Sequence, residues 1–272
     1  MAEAQTVGAI ELSAIDLAIA GGLVLVAGVV SVLLRLGLEK RLLLAAVRTV
    51  VQLLMIGYVL KWVFDIDTLW AILPVVLLMI LAAGHAAVHR SSRTFPGVLL
   101  RAVGTLAMSG FITTVIVTGV IVGAQPWYEP QYLIPLLGMV LGNGLTGISL
   151  SLDTLLEQLV ERRDEVELHL ALGATRWEAA RDALADAVRR GMIPTINSMM
   201  VVGIVALPGM MTGQILAGAD PLEAVKYQVV VMFMIAGATS TGCIIIVLLA
   251  YRRLFTPRHQ LDSAAIRARG KK

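Results

Sequence analysis

Polar side chains inside long apolar stretches are the residues of this 272-residue sequence that could do chemistry. Arg48 and Gln52 lie one helical turn apart in one such stretch, and Asn143 lies at the centre of another. A charged or amide side chain is costly in hydrocarbon and usually faces a protein interior or water. The chemistry predicted here is therefore binding and passage of a solute. Arg48 could instead extend its charge to the membrane surface, and Asn143 could simply hydrogen-bond a neighbouring helix.

A second group of candidate path residues lies in the last two apolar stretches. Pro208 and Gly209 should kink or break a helix, because proline lacks an amide hydrogen and its ring opposes the carbonyl one turn back. The freed carbonyls must then be satisfied by neighbours or face a cavity, which makes this point a predicted hinge. The nearby thioethers and hydroxyls either line the path or only fill the core and bond back to their own helix. The predicted path residues are Arg48, Gln52, Asn143, Asn197, Pro208, Gly209, Met210, Met211, Thr239 and Ser240.

The sequence carries no motif for catalysis or for ATP binding. The glycine-rich P-loop pattern is absent, so the chain is not expected to bind ATP through a P-loop. His85 and His89 are four residues apart, but no acidic or cysteine partner lies near them in sequence. No aspartate or glutamate lies mid-way along an apolar stretch, where proton- or sodium-coupled carriers often use one. The prediction is a protein that is not an enzyme, with no catalytic residue, resident metal or cofactor.

The elements that must position these residues are membrane-spanning α-helices. The chain is 58% hydrophobic, with a mean hydropathy of +0.84, which is too apolar for a soluble domain of this size. A helix needs about 20 apolar residues to cross a bilayer, and the stretches are continuous instead of alternating as in a β-barrel. The predicted fold is an all-α polytopic membrane protein. The seven predicted spans are 15–36, 42–64, 69–88, 98–122, 132–156, 192–217 and 225–251.

Basic residues gather in alternate loops between these spans. Arg35, Lys40 and Arg41 follow the first span, Arg90 and Arg93 follow the third, and further basic clusters follow the fifth and the last. The positive-inside rule assigns such loops to the cytoplasm. The N-terminus is therefore expected outside and the C-terminus in the cytoplasm of a multi-pass cell-membrane protein. The net charge of +3 reflects this topology and predicts no nucleic-acid partner.

The charged segment 157–190 is predicted to form a helical elbow in the cytoplasm. Apolar residues recur at helical spacing on either side of Gly173, which stands where a left-handed helix cap favours glycine. Thr175 and Glu178 have the spacing of a capping box at the start of a second helix. A helix–turn–helix of this kind presents a small knuckle that suits docking in a groove on another protein. An ordinary amphipathic hairpin on the membrane surface is the alternative.

Five stretches of the sequence carry a family resemblance. They read VRTVVQLLMIGYVLK at 47–61, PLLGMVLGNGLTGISLSLD at 135–153, LHLALGATRWEA at 168–179, MIPTINSMMVVGIVALPGMMTGQILAGADPLEAVKYQ at 192–228, and YRRLF and RHQL within 251–261. Together they resemble the FetB/UPF0014 family of ABC transporter permeases, bacterial relatives of plant aluminium-tolerance permeases. The stretch from LPGMM to KYQ is the most specific, and the N-terminal span is generic.

The resemblance implies a permease subunit that works in the lipid bilayer as a homodimer with two copies of a separate ATP-binding subunit. The family's association with iron export implies a metal ion moved outward. In ABC importers a similar turn docks on the ATPase, although Pro194 lies farther from Gly173 here than the importer pattern expects. The resemblance therefore implies that this turn docks on an ATPase, but it does not imply that the surrounding helices have the geometry of an importer. The implied ATPase-coupling residues are Leu172, Gly173, Ala174, Thr175, Arg176 and Trp177.

The sequence thus predicts a single transmembrane permease domain over 1–272, with the coupling segment 157–190 within it. The residues alone leave two other functions open. A stand-alone channel or secondary carrier is disfavoured by the missing intramembrane carboxylates and by the large elbow. A membrane scaffold or receptor that transports nothing is disfavoured by polar residues spread over four spans.

Overall fold

The computed structural model describes residues 13–66, 68–256 and 258–268. Within these ranges the chain forms ten α-helices, and a two-stranded antiparallel sheet joins Arg93–Thr94 (β1) to Arg267–Ala268 (β2). Two π-helical segments, Ala107–Phe111 and Val117–Val122, flank α5 and continue the span that α4 begins. The helices are α1 Ala14–Leu33, α2 Glu39–Ile66, α3 Leu69–Arg90, α4 Val98–Leu106, α5 Ile112–Ile116, α6 Pro130–Glu161, α7 Arg163–Ala171, α8 Arg176–Val201, α9 Gly209–Leu216 and α10 Pro221–Leu254.

Six continuous helical segments of the described chain are long and apolar enough to cross a membrane. They correspond to the predicted first, second, third, fourth, fifth and seventh spans. The predicted sixth span, 192–217, is not one helix, so that prediction is wrong in its detail. Helix α8 ends at Val201 and α9 begins only at Gly209.

The gap between α8 and α9 has local causes. Pro208 adopts an extended conformation as the residue before α9, and a residue that precedes a proline disfavours the helical region. Gly203 has a φ of +81°, and its N–H donates to the carbonyl of Ala206 at 2.9 Å. The helix break predicted at Pro208 is therefore present, and it begins at Val202.

Helices α6, α8 and α10 pack together at a crossing of small residues. A Cβ built on Gly191 would lie 2.8 Å from the carbonyl oxygen of Gly147 and 2.9 Å from the sulfur of Cys243. Such distances leave no room for a side chain, so glycine lets the backbones of α6 and α8 approach closely. The hydrophobic core continues from this crossing toward the elbow through buried leucines of α6, namely Leu152, Leu155, Leu156 and Leu159.

Helices α1 and α2 form a peripheral hairpin. Helix α1 packs against α2, and α2 reaches the rest of the bundle mainly through Val63, which is fully buried. The other large apolar side chains of α2 are exposed or half-buried on the single chain. Apolar faces of this kind suit contact with lipid or with another membrane protein.

The chain after α10 folds back onto the end of the bundle that carries the elbow. The N–H of Asp262 donates to the carbonyl of Leu254 at 2.8 Å, and β2 then pairs with β1 in the connection between α3 and α4. Asp153 ties the same connection to α6, because its carboxylate accepts from the N–H of Ser92 at 2.8 Å and from its hydroxyl at 2.6 Å. Hydrogen bonds between residues that are distant in sequence therefore hold this end of the bundle together.

Candidate functional site

The elbow is a capped helix–turn–helix formed by α7, the turn 172–175 and the start of α8. Gly173 has a φ of +95°, and the N–H groups of Gly173 and Ala174 donate to carbonyls of the last turn of α7. At the start of α8, the N–H of Thr175 donates to Glu178 Oε2 at 2.8 Å, and the N–H of Glu178 donates to Thr175 Oγ1 at 3.3 Å. The predicted left-handed glycine and capping box are both confirmed.

Charge pairs stabilise the helical ends of the elbow. The N–H of Thr175, and secondly its hydroxyl, hold the pKa of Glu178 below its ordinary value, because both donate to the charged carboxylate. Hydrogen bonding from Arg162 likewise lowers the pKa of Glu165, with the guanidinium 2.6 Å from the carboxylate. Both carboxylates are solvent-exposed, so these pairs define helix ends more than they add stability.

The tip of the elbow exposes apolar side chains outside the membrane spans. Leu172 is 77% exposed and Leu168 is 56% exposed, while Trp177 presents about half of its surface. Val166 and Ala180 face inward and are buried, so the apolar side of the hairpin is already packed. The three exposed side chains are therefore not needed for the packing of the hairpin itself. An apolar knuckle rimmed by charged residues is typical of a protein–protein contact site.

The C-terminal tail braces the elbow, a contact that the sequence analysis missed. The N–H of Arg176, in the first turn of α8, donates to Nδ1 of His259 at 2.9 Å. The Arg176 guanidinium lies 5.7 Å from the centre of the Tyr251 ring, and the Trp177 ring meets the same tyrosine edge-on at 5.7 Å. His259 and Tyr251 lie within 251–261, one of the stretches that carry the family resemblance. That resemblance was the feature of the sequence that could have indicated a role for these two residues.

A cleft lies where the helix break meets α6 and α10. It consists of two adjoining cavities of about 230 and 450 Å³ that share Val202, Gln228 and Met232. The carbonyl of Pro208 is satisfied by α9, because the N–H and the hydroxyl of Thr212 both donate to it at 3.0 Å, and Pro208 and Gly209 line the cleft. The break therefore faces a cavity, as expected for interrupted backbone in a membrane. The predicted path residues that line this cleft are Asn143, Pro208, Gly209, Met210 and Met211.

The other predicted path residues lie outside the cleft. Thr239 is fully buried at the crossing beside Gly147, Ser240 is half-buried, and Asn197 is exposed. Arg48 and Gln52 are exposed on α2, so the expectation that they face the interior is wrong for the single chain. The reason is that α2 packs chiefly on α1, which leaves the sides of α2 uncovered.

Gln228 is the cleft residue that the sequence analysis overlooked. It lies two turns inside α10 and is only 6% exposed, and its side-chain oxygen Oε1 has no hydrogen-bond partner among the described residues. Asn143 differs, because its amide donates to the carbonyl of Met139 one turn back at 2.9 Å. The available signal for Gln228 was an amide side chain followed by the apolar run VVVMFM.

Acidic, histidine and cysteine side chains do not cluster in the described part of the chain. No group of three or more such residues there could hold a metal ion. The rings of His85 and His89 meet edge to face with centroids 4.0 Å apart on the exposed side of α3.

The fold and the cleft define an integral membrane protein in which a broken helix packs against two of the spanning helices, α6 and α10. The chain belongs to the UPF0014 family, an uncharacterised protein family whose model matches residues 14–255. A UPF0014 membrane protein of Synechocystis is 41% identical over 83% of this chain and 87% of its own. The probable iron export permease protein FetB of Escherichia coli is 35% identical over 90% and 93%.

A plant relative is similar over nearly the same extent. The Arabidopsis thaliana protein ALUMINUM SENSITIVE 3 is 32% identical, covering 88% of this chain and 86% of its own. No solved structure shows a significant match to the chain. These relatives make the chain a membrane protein of a family that includes a named permease.

Proposed function

We propose that this protein is the membrane-spanning permease subunit of an ABC transporter that exports a metal ion. The observation that carries the proposal is the elbow. It is a capped turn between α7 and α8 whose most exposed large apolar side chain is Leu172. A separate ATP-binding subunit docks on this knuckle and supplies hydrolysis, so the permease itself is not an enzyme.

The elbow connects directly to the proposed path. Helix α8 runs without interruption from the capping box to Val201, and Thr195 and Ser198 on its last turns line the cleft. A movement of the elbow on closure of the two ATPase subunits would therefore be transmitted along α8 to the break before Gly209, and the helices around the break would change their tilt. Two copies of the chain form the transporter in the cell membrane, with the N-terminus outside and the elbow in the cytoplasm.

The similarity to the Escherichia coli relative, a probable iron export permease, supports export as the direction and a metal ion as the cargo. The rival function, a stand-alone channel or secondary carrier, would not need a docking elbow. The lining of both cavities contains no aspartate or glutamate, although a proton- or sodium-coupled carrier often relies on one.

Co-purification tests the proposal. The full chain is expressed together with each candidate P-loop ATPase subunit from the same genome, and any complex is isolated through a tag on the permease. Leu172→Asp should abolish co-purification and the stimulation of ATP hydrolysis, because it places a charge on the apolar knuckle. Leu222→Asp is the matched control, since Leu222 is similarly exposed in the first turn of α10. Equal retention of the ATPase by both variants, or ATP-independent transport, would contradict the proposal.

A further inference from the structure

Gln228 poses a specific physical problem in the cleft. A buried amide oxygen without a partner is destabilising, so buried polar groups are nearly always satisfied. Gln228 is more than nine-tenths buried, its Oε1 has no partner within the described chain, and the residue borders both cavities. An acceptor in this position indicates a ligand that offers a hydrogen-bond donor or a positive charge.

The remaining lining restricts which ligand this is. No lysine or arginine lines either cavity, which disfavours an anion. Aspartate, glutamate and histidine are absent as well, which disfavours hard or intermediate divalent cations that favour carboxylate and imidazole ligands. Five half-buried methionines do line the cavities, namely Met139, Met199, Met210, Met211 and Met232.

Thioethers are soft, uncharged ligands, and among biological metals they favour Cu(I). Methionine commonly fills irregular gaps in a core. Here, however, the methionines border open volume on both sides of an unsatisfied amide oxygen, and Met232 and Gln228 belong to both cavities. A monovalent cation is also less costly than a divalent ion to hold among uncharged ligands, because the cost of burying an unpaired charge rises with the size of that charge.

We propose that the cleft is a binding site for a soft monovalent cation, Cu(I) or Ag(I), held by methionine thioethers and the side-chain oxygen of Gln228. The inference deepens the proposed export function by naming a cargo class, which differs from the iron in the name of the Escherichia coli relative, and it rests on that function for the role of the site in transport. The site lies in the half of α10 nearer to Pro221, beside the helix break. A hinge that moves α9 would therefore change the distance between Met210 and Gln228.

Cation binding to the purified full-length permease in lipid nanodiscs tests the proposal. The probe is Ag⁺, followed by calorimetry, with Fe²⁺ under anaerobic conditions as the competitor. We expect Ag⁺ to bind with near-stoichiometric occupancy and at least tenfold tighter than Fe²⁺. Met232→Leu keeps the side-chain volume and removes the thioether shared by both cavities, so it should weaken Ag⁺ binding about tenfold or more. Met108→Leu is the control, because Met108 is exposed and lines neither cavity.

Two variants at Gln228 distinguish the contribution of its side-chain oxygen to Ag⁺ binding from the contribution of its packing. Gln228→Leu should weaken Ag⁺ binding, whereas Gln228→Glu keeps the acceptor and should retain it. Each variant is first checked for a wild-type elution profile and melting temperature, and Met232→Leu carries the test if Gln228→Leu does not fold. Tighter Fe²⁺ than Ag⁺ binding, or wild-type Ag⁺ affinity in Met232→Leu, would overturn the soft-cation site. Because the permease is measured alone, such a failure would not contradict the proposed docking of the ATPase. Loss of docking with normal Ag⁺ binding would instead overturn only the assignment as an ABC transporter subunit.

Discussion

Gly173 should tolerate asparagine, lose function in part as alanine and lose it severely as valine. Its φ of +95° lies in the region that residues with a Cβ rarely adopt, and a Cβ built there would meet nothing within 4 Å. The penalty therefore comes from backbone conformation and not from crowding. Asparagine is enriched at positive φ, whereas a β-branched residue is an outlier there.

The size of the effect follows from the conformational cost. A residue with a Cβ pays roughly 1–2 kcal/mol in a left-handed conformation. A cost of that size lowers the ratio of closed to open turn about 5- to 30-fold, if the turn opens independently of the rest of the protein. The conformational cost is larger for valine, unless the turn distorts the two hydrogen bonds that end α7, which are donated by the N–H groups of Gly173 and Ala174.

Stimulation of the ATPase in nanodiscs is the assay, with co-purification as a second readout. Stimulation should fall in the order Asn, Ala, Val, while insertion and melting temperature stay close to wild type. The matched control is Gly37→Val, because Gly37 has a φ of +68° with open space around it in the connection between α1 and α2. Equal stimulation by all three variants, or an equal loss at Gly37, would refute the reasoning that the left-handed turn is the docking knuckle.

Three further predictions concern the supports of the elbow and the helix crossing. Thr175→Ala removes the N-cap at a cost of about 1 kcal/mol and should speed amide hydrogen exchange in the first turn of α8. The Glu178 half of the capping box stabilises fully above the ordinary pKa of glutamate and is lost as pH falls through its lowered folded pKa, so the protection of these amides relative to their intrinsic exchange rate should fall only in acid. His259→Ala removes the acceptor for the first N–H of α8 and should lower ATPase stimulation without releasing the ATPase, as measured by titration of the two subunits. Gly191→Ala should lower the melting temperature through about 1–3 kcal/mol of overpacking, whereas Gly142→Ala, with open space at its Cβ, should not.

Local signals explain why much of the fold could be predicted from the sequence. The elbow is specified by Gly173, Thr175 and Glu178, whose conformations depend on neighbours within three or four residues. Continuous apolar runs likewise give the six unbroken spans. Helices α6 and α10 extend beyond the predicted spans because a hydropathy pattern detects only the part of a helix that is apolar.

The interrupted sixth span and the cleft depend on interactions that hydropathy does not encode. The segment 202–207 is as apolar as a spanning helix, yet Gly203 turns the chain and its N–H finds the carbonyl of Ala206. Gln228 is distinguished only by what packs around it. His259 meets Arg176 across 83 residues of sequence, a pairing that no local pattern indicates.

Helix α8 can act as a lever in the proposed transport cycle, because its fulcrum lies between the elbow and the cleft. The crossing at Gly191 holds α8 against α6, with no space for a side chain between the two backbones. At 1.5 Å per residue, Gly191 lies about 22 Å from Arg176 and about 10 Å from Ser198. A rigid α8 pivoting at Gly191 would therefore move Ser198 by roughly half the displacement of the elbow and in the opposite direction. Pro194, inside α8 and three residues beyond the fulcrum, lacks an amide hydrogen and is the point where bending would absorb part of this motion.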